Sequence, residues 1–257
     1  QMAVLSAGTF ANVLVAILFF VILWVFFIGA FTPSGIIFDS YATSAVAISG
    51  ISMINGIPVT NSSYQEIVNM VDDNGTNILV ADGKTYLTTK EILDNQANNE
   101  GALFLYDDAP AIRNNISSII LAIDGTKITS VDMAVQEILK RSPGEKINLT
   151  TLTDNGEVTQ EITLEEHPKQ PGATWLGIGF FQKRTGGILS QLFGKLAFKD
   201  SNIYYEPRLD GLSVFIYNLL WWVVLISFSV ALVNMLPMGI FDGGRFFYFT
   251  VLGITKS

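Results

Sequence analysis

The sequence has no cysteine and a single histidine, His167, among its 257 residues. Without cysteine, neither disulfide bonds nor thiolate-ligated zinc sites can form. One histidine also excludes a metal centre built from two or more histidines of this sequence alone. A centre of that kind would need histidines from outside the sequence.

Charge is scarce as well. Charged residues make up 15% of the chain, against about a quarter in ordinary soluble domains. Residues 1–38 and 211–241 contain no charged residue, whereas residues 39–182 carry a net charge of −11. The formal charge of −8 therefore describes the middle of the chain, and its acidic character argues against nucleic acid as a partner.

The two stretches without charge predict membrane helices. Phe10–Phe31 and Leu212–Met235 are each apolar on all sides, and about 20 apolar residues in a helix cross the hydrocarbon core of a bilayer. The alternative is a pair of helices buried in a large soluble core. Apolar character around the whole circumference over such a length favours the membrane and makes the lipid bilayer a partner.

A shorter segment precedes the second predicted span. Residues 187–198 place five apolar side chains at helical spacing, and Lys195 and Lys199 accompany them. The pattern predicts either an interfacial amphipathic helix on the bilayer surface or a short helix packed on the protein itself.

The acidic middle region contains an internal repeat. In each copy a glycine followed by three apolar residues precedes an Asn-Gly or Asp-Gly pair, which is a strong signal for a tight turn. A predicted helix and a pair of alternating strands then follow. The glycine segments are 35–38 and 101–104, the helices 63–71 and 131–140, and the strand pairs 77–88 and 146–164.

This repeat resembles tandem PDZ domains. The resemblance implies extended peptides or peptide C-termini as partners, bound by strand addition with the carboxylate held by amides of the glycine loop. The candidate loops are Gly35–Phe38 in the first copy and Gly101, Ala102, Leu103 and Phe104 in the second, which matches better. The alternative is that these segments are ordinary strand starts. The domains would then act only as a gate or as a spacer and would not bind peptide.

The most specific motif lies at the end of the second predicted span. Asn234, Pro237, Asp242 and Gly243 stand in the order Asn-x-x-Pro-x-x-x-x-Asp-Gly. An ionisable residue at membrane depth is costly and indicates a functional site. Pro237 and the glycines are expected to break the helix and let Asp242 turn inward. On its position alone, Asp242 is also compatible with being the first exposed residue beyond the membrane.

This motif resembles that of site-2 proteases, a family of intramembrane zinc metallopeptidases. The resemblance implies that Asp242 is the third zinc ligand, beside two histidines of a His-Glu-x-x-His helix, and that Asn234 contacts the unwound substrate near the metal. Zinc is thus the implied cofactor, and a membrane protein the implied substrate.

A second motif agrees with this resemblance. Gly8 and Asn12 match the Gly-x-x-x-Asn pattern that, in this family, opens the helix after the His-Glu-x-x-His helix. Small residues there allow helices to approach closely. Asn12 is expected to hydrogen-bond either the substrate backbone or a neighbouring helix.

The sequence departs from the family pattern in one respect, because it contains no His-Glu-x-x-His. His167 lies beside Pro168, after the second repeat copy, and is expected to be a surface or linker residue. We therefore expect the sequence to be either a fragment of a longer enzyme or a degenerate relative, inactive by itself in both cases.

Together these patterns predict a membrane α-helical protein with inserted α+β tandem PDZ-like domains. The predicted segments are a first membrane helix (1–33), two PDZ-like units (34–100 and 101–168), a linker with the amphipathic segment (169–210) and a second membrane helix (211–257). The complete enzyme is expected to cleave membrane-spanning regulatory substrates, with its PDZ-like region outside the cytoplasm. The rival interpretation is a non-catalytic membrane scaffold that binds peptides.

Overall fold

The computed structural model describes residues 2–60, 63–98, 101–180, 199–238 and 240–255. The chain divides into two compact units. The helical unit comprises Gln1–Thr32 and Tyr205–Ser257, and the α+β unit comprises Pro33–Tyr204. The predicted amphipathic segment, 187–198, lies outside the described residues.

Seven helices are described. They are α1 (Met2–Ala30), α2 (Tyr64–Met70), α3 (Lys90–Asp94), α4 (Pro110–Arg113), α5 (Val131–Leu139), α6 (Asp210–Asn234) and α7 (Asp242–Thr255). A serine or threonine side chain caps three of them by accepting the N–H three residues on, as is common at helix starts. These caps are Ser63, Thr89 and Ser130.

The strands are short and number sixteen in the described ranges. They are β1 (Phe31–Ile37), β2 (Ser40–Tyr41), β3 (Thr43–Ala47), β4 (Ile51–Ile54), β5 (Ile57–Pro58), β6 (Asn77–Ala81), β7 (Lys84–Thr88), β8 (Ala102–Asp107), β9 (Ile119–Ile123), β10 (Thr126–Lys127), β11 (Lys146–Thr153), β12 (Gly156–Thr163), β13 (Glu165–Glu166), β14 (Thr174–Trp175), β15 (Ile178–Gly179) and β16 (Ile203–Pro207).

The two long helices of the helical unit match the predicted membrane spans. Gly8–Ala30 and Asp210–Asn234 are both long and apolar enough to cross a bilayer. Only 22% and 6% of their most apolar windows are buried within the chain. Helices at the core of a soluble protein would be mostly buried, so the extensive apolar exposure favours lipid or further helices as their surroundings.

Helix α1 packs on α6 along a narrow seam. The buried positions Thr9, Ala16, Leu23 and Ala30 recur every seven residues, the spacing of a helix–helix seam. Small residues at such a seam, including Ala231 of α6, let two backbones approach closely where no water is present to drive association.

An aromatic cluster joins the C-terminal end of α1 to the start of α6. The ring of Phe27 lies 5.8 Å from that of Tyr217 and 4.9 Å from that of Tyr205, centroid to centroid. The backbone N–H of Arg208 donates to the carbonyl of Ala30 at 2.9 Å. This bond satisfies one of the carbonyls that the end of a helix leaves unpaired.

The α+β unit contains two larger sheets, each over its own hydrophobic core. One sheet contains the first and last strands of the chain and is called the outer sheet. Its order is β12-β11-β9-β1-β16, with β10 beside β9. The inner sheet has the order β3-β8-β7-β6-β4-β5. Two small pairs, β13 with β14 and β15 with β2, complete the strands.

The inner sheet is inserted into the outer one along the chain. In β1, Ile36 pairs with Ile120 of β9, so the first glycine segment belongs to the outer sheet. The second glycine segment enters β8, which pairs with β3 of the inner sheet. Each segment thus completes the sheet of the other copy. The apolar pattern did not specify the pairing partner.

The two copies of the repeat share a similar turn and a similar hydrogen bond. Asn55 and Asp124 occupy the same turn position with φ of 49° and 47°. The side chain of Asn55 accepts the N–H of Ile78 at 2.9 Å, and that of Asp124 accepts the N–H of Asn148 at 2.8 Å. In each copy, therefore, the turn is hydrogen-bonded to the strand that follows the helix.

Candidate active site

The site is built where the second membrane helix ends. Helix α6 stops at Asn234 and α7 begins at Asp242, so the helix break predicted from Pro237 is present. Pro237 cannot donate a backbone hydrogen bond and therefore favours a stop there. Two short-range bonds shape the connection, from Met238 N–H to Leu236 O at 2.8 Å and from Phe241 N–H to Met238 O at 2.9 Å.

Gly243 permits this tight reversal. A β-carbon built on Gly243 would lie 2.4 Å from the carbonyl oxygen of Met235 and 2.7 Å from that of Leu236. Both distances are much shorter than a normal van der Waals contact. Both oxygens belong to the backbone, so they cannot rotate away. Glycine in the Asp-Gly pair is therefore required by packing between the start of α7 and the end of α6.

Gly8 brings the Gly-x-x-x-Asn motif beside Asp242. A β-carbon built on Gly8 would lie 3.9 Å from Oδ2 of Asp242. The Gly8 end of α1 therefore faces the start of α7, while Phe27 near its other end contacts Tyr217. Helices α1 and α6 run antiparallel, and the two predicted motifs lie at the same end of the pair.

The two asparagines of the motifs make no hydrogen bond to Asp242 in the described ranges. Asn12 lies one turn after Gly8 on α1, and Asn234 is the last residue of α6. Both side chains, like that of Asp242, are partly buried. Within the described ranges, no hydrogen bond links these three side chains to one another.

A complete zinc site is not formed by the described residues. They contain no group of three histidine, cysteine, aspartate or glutamate side chains that could hold a metal ion. Catalytic zinc normally has three protein ligands, and the motif region offers the carboxylate of Asp242. The donor set of the described residues therefore does not fit zinc by itself.

His167 has a structural role in the α+β unit. Its Nδ1 accepts the backbone N–H of Lys169 at 3.1 Å. Its ring lies edge-on to that of Trp175, with centroids 5.8 Å apart. These contacts help to fix the turn after β13.

The segment predicted to bind peptide lies inside the inner sheet. The carbonyl of Gly101 accepts the N–H of Ile48 at 3.0 Å, and Leu103 pairs with Val46 of β3. Leu103 is fully buried, whereas the Phe104 side chain is 56% exposed. The backbone of this segment is therefore largely engaged within the sheet, and peptide binding there stays a prediction.

Arg113 of α4 is a residue that sequence reasoning missed. Its guanidinium pairs with Asp108 through Nε at 2.6 Å and with Glu165 through Nη1 at 2.6 Å and Nη2 at 3.0 Å. Hydrogen bonding to Glu165, and then to Asp108, raises the pKa of Arg113. Arg113 and Glu165 are far apart in sequence, and no local pattern indicates that they pair.

Comparison with known families agrees with the motifs. The family model of peptidase family M50 matches residues 1–257. No curated protein matches the chain. Peptidase family M50 is the site-2 protease family of zinc-dependent integral membrane peptidases. The match covers both apolar helices, both motifs and the α+β unit between them, and this chain belongs to peptidase family M50.

Proposed function

We propose that this chain supplies the aspartate side of an intramembrane zinc peptidase active site. The observation that carries the proposal is the position of Asp242, which starts α7 directly after the helix break and lies beside Gly8 of α1. In this proposal Asp242 is one zinc ligand, and the remaining ligands come from a His-Glu-x-x-His helix outside this sequence.

Asn12 and Asn234 are proposed to hold the substrate backbone. A peptide bond in a membrane helix becomes accessible only when the helix unwinds, which frees backbone N–H and C=O groups. In hydrocarbon, each unpaired backbone group raises the free energy by roughly several kcal/mol. A carboxamide carries both donors and an acceptor, so two asparagines near Asp242 are suited to pair such groups.

The α+β unit is proposed to face substrate outside the cytoplasm, as a PDZ-like gate or recognition module. Its acidic charge and its position between the two helices support a role in selecting membrane proteins at the bilayer surface. The substrates proposed are membrane-spanning regulatory proteins. The rival proposal, a non-catalytic scaffold, shares this module and differs only in the absence of metal chemistry.

Zinc content and cleavage of a model membrane substrate test the proposal. We would join the chain to an upstream His-Glu-x-x-His helix and compare it with the chain alone. The joined protein is expected to hold zinc and to cleave, whereas the chain alone binds zinc poorly because one carboxylate supplies one ligand.

Three variants of the joined protein sharpen this test. Asp242→Ala removes the ligand, and Asp242→Asn keeps its shape without its charge, so both should lose zinc and cleavage. Asp210→Ala, at the opposite end of α6, is the matched control and should retain both. Full cleavage by Asp242→Ala would contradict the metal role. Absence of zinc in every form of the joined protein would favour the scaffold.

A further inference from the structure

Strand β8 of the inner sheet presents part of one edge that no strand covers in the described ranges. Its pairing with β3 uses the backbone groups of alternate residues, as the bonds from Ile48 N–H to Gly101 O and from Asp107 N–H to Ala42 O show. The groups of Phe104 therefore point away from β3. On that side, β7 pairs only with Tyr106 and Asp107.

The covering strand leaves the sheet before it reaches Phe104. Strand β7 ends at Thr88, and the side chain of Thr89 caps α3, so the chain turns into a helix. A segment placed beside Phe104 would continue the line of β7 at the same spacing. The edge is therefore a gap one short strand long.

The side chain of Gln96 fills this gap. Its Oε1 accepts the N–H of Phe104 at 2.7 Å, and its Nε2 donates to the carbonyl of Phe104 at 2.9 Å. The same Nε2 donates to the carbonyl of Ile92 at 3.1 Å, which anchors the side chain to α3. A carboxamide offers the same donor and acceptor as a peptide group. Gln96 thus makes the bonds that a neighbouring strand would make.

We propose that Gln96 is an internal latch that closes a strand-addition site at Ala102–Phe104, and that an extended peptide segment competes with it for Phe104. This inference rests on the proposed recognition role of the α+β unit and adds its regulation. The peptide-like group that already occupies the site identifies the occupant as backbone in an extended conformation. When a peptide binds, the Gln96 side chain loses its two hydrogen bonds with Phe104. The affinity for the peptide therefore depends on this competition.

The rest of the site is rigid enough for such an exchange. Leu103 and Leu105 are fully buried and hold β8 in the inner core on either side of Phe104. The Phe104 side chain itself is 56% exposed and available for contact with a side chain of the added strand. Movement of the Gln96 side chain away from β8 would therefore release both backbone groups of Phe104 for pairing.

Hydrogen exchange in the full chain, purified in detergent, tests the latch. Gln96→Ala should speed exchange of the Phe104 amide by about tenfold, the effect of losing one neutral hydrogen bond. Gln65→Ala is the matched control, because the Gln65 side chain donates to Asn69 on the exposed surface of α2. Unchanged Phe104 exchange in Gln96→Ala would overturn the latch.

Peptide binding by the same proteins tests strand addition. The probe is a capped Lys-Thr-Val-Thr-Val-Thr-Lys peptide, whose lysines complement the acidic unit, and its twin is N-methylated at alternate residues to block backbone pairing. The first peptide should bind Gln96→Ala at least about tenfold more tightly than the unmodified chain. The twin should bind neither.

The two measurements separate the possible failures. Faster exchange without tighter peptide binding, or equal binding of the N-methylated twin, would overturn the strand-addition site. Neither result depends on zinc or on cleavage. Failure of the proposed peptidase function would instead appear in the Asp242 variants, while Phe104 exchange and peptide binding remain as expected.

Discussion

Gly243 lies so close to Met235 that a β-carbon on the glycine would approach the Met235 carbonyl oxygen to 2.4 Å. This contact joins the start of the short helix α7 to the end of the membrane helix α6. The position of the Asp242 carboxylate depends on it, because Asp242 is the adjacent residue.

Gly243→Ala should therefore destabilise the helical unit. The clash with fixed backbone atoms is expected to cost about 1–3 kcal/mol, the range for overpacking. Hydrogen exchange of α7 amides in detergent measures it. Gly253→Ala lies on the same helix, and beyond the helix's own backbone the described residues place no atom within 4 Å of the added carbon. It should slow exchange because alanine favours helix. Equal effects of the two changes would contradict the packing role of Gly243.

Gly8→Leu should displace the Asp242 carboxylate. The leucine side chain would extend beyond a β-carbon that already lies 3.9 Å from Oδ2 of Asp242. In the protein joined to a His-Glu-x-x-His helix, zinc affinity should fall by about 10- to 100-fold, as when a ligand loses its support. Gly29→Leu, on the same helix with open space around it, should leave zinc affinity unchanged. A similar loss in both variants would indicate general damage to α1.

Arg113 should stabilise the α+β unit through its two carboxylate partners. Arg113→Ala is expected to cost about 1 kcal/mol, because the pair with Glu165 is bidentate but the Arg113 side chain is 43% exposed. Arg113→Lys should lose most of this, since an ammonium cannot pair with both carboxylates in the same geometry. Hydrogen exchange of β13 and β14 measures the loss. Lys146→Ala removes the more exposed pair with Glu161 and should produce no measurable change.

Much of the fold could be predicted from the sequence. The two apolar helices, the tight turns at Asn55 and Asp124, and the helix break at Pro237 follow from local composition and turn chemistry. The insertion of the inner sheet could not be predicted, because Ile36 and Leu103 have the apolar character that either core would accept. The contacts of Gln96 with Phe104, and of Arg113 with Glu165, also depend on tertiary position and leave no local signal.

Protease accessibility should establish the orientation of the chain. We expect trypsin to cleave the α+β unit from outside in sealed, right-side-out vesicles, because Arg245 and Lys256 follow α6 and favour the cytoplasm. Lys183, Arg184, Lys195 and Lys199 act in the opposite sense. Lysed vesicles give the reference for full cleavage. Protection of the α+β unit until the vesicles are lysed would rule out this orientation.

Asn77 should be among the most sensitive polar positions of the inner sheet. It is fully buried, and its Oδ1 accepts from the Asp72 N–H and from Nδ2 of Asn55, each at 2.7 Å. Its Nδ2 donates to the Asp72 carbonyl at 3.2 Å. Asn77→Ala should cost about 2–4 kcal/mol, since buried partners lose their bonds and a small cavity remains.

Asn77→Asp provides a pH-dependent test of the same network. The new carboxylate would keep the two accepted bonds but would face the Asp72 carbonyl, and burial disfavours its charge. Its folded-state pKa should therefore lie above the unfolded value of about 3.9. A raised acid pKa means that the folded state binds more protons, so stability falls as pH rises through this range. Hydrogen exchange of β4 and β6 should show a large deficit at neutral pH that narrows towards pH ~4. A deficit independent of pH would show that shape, rather than charge, limits this position.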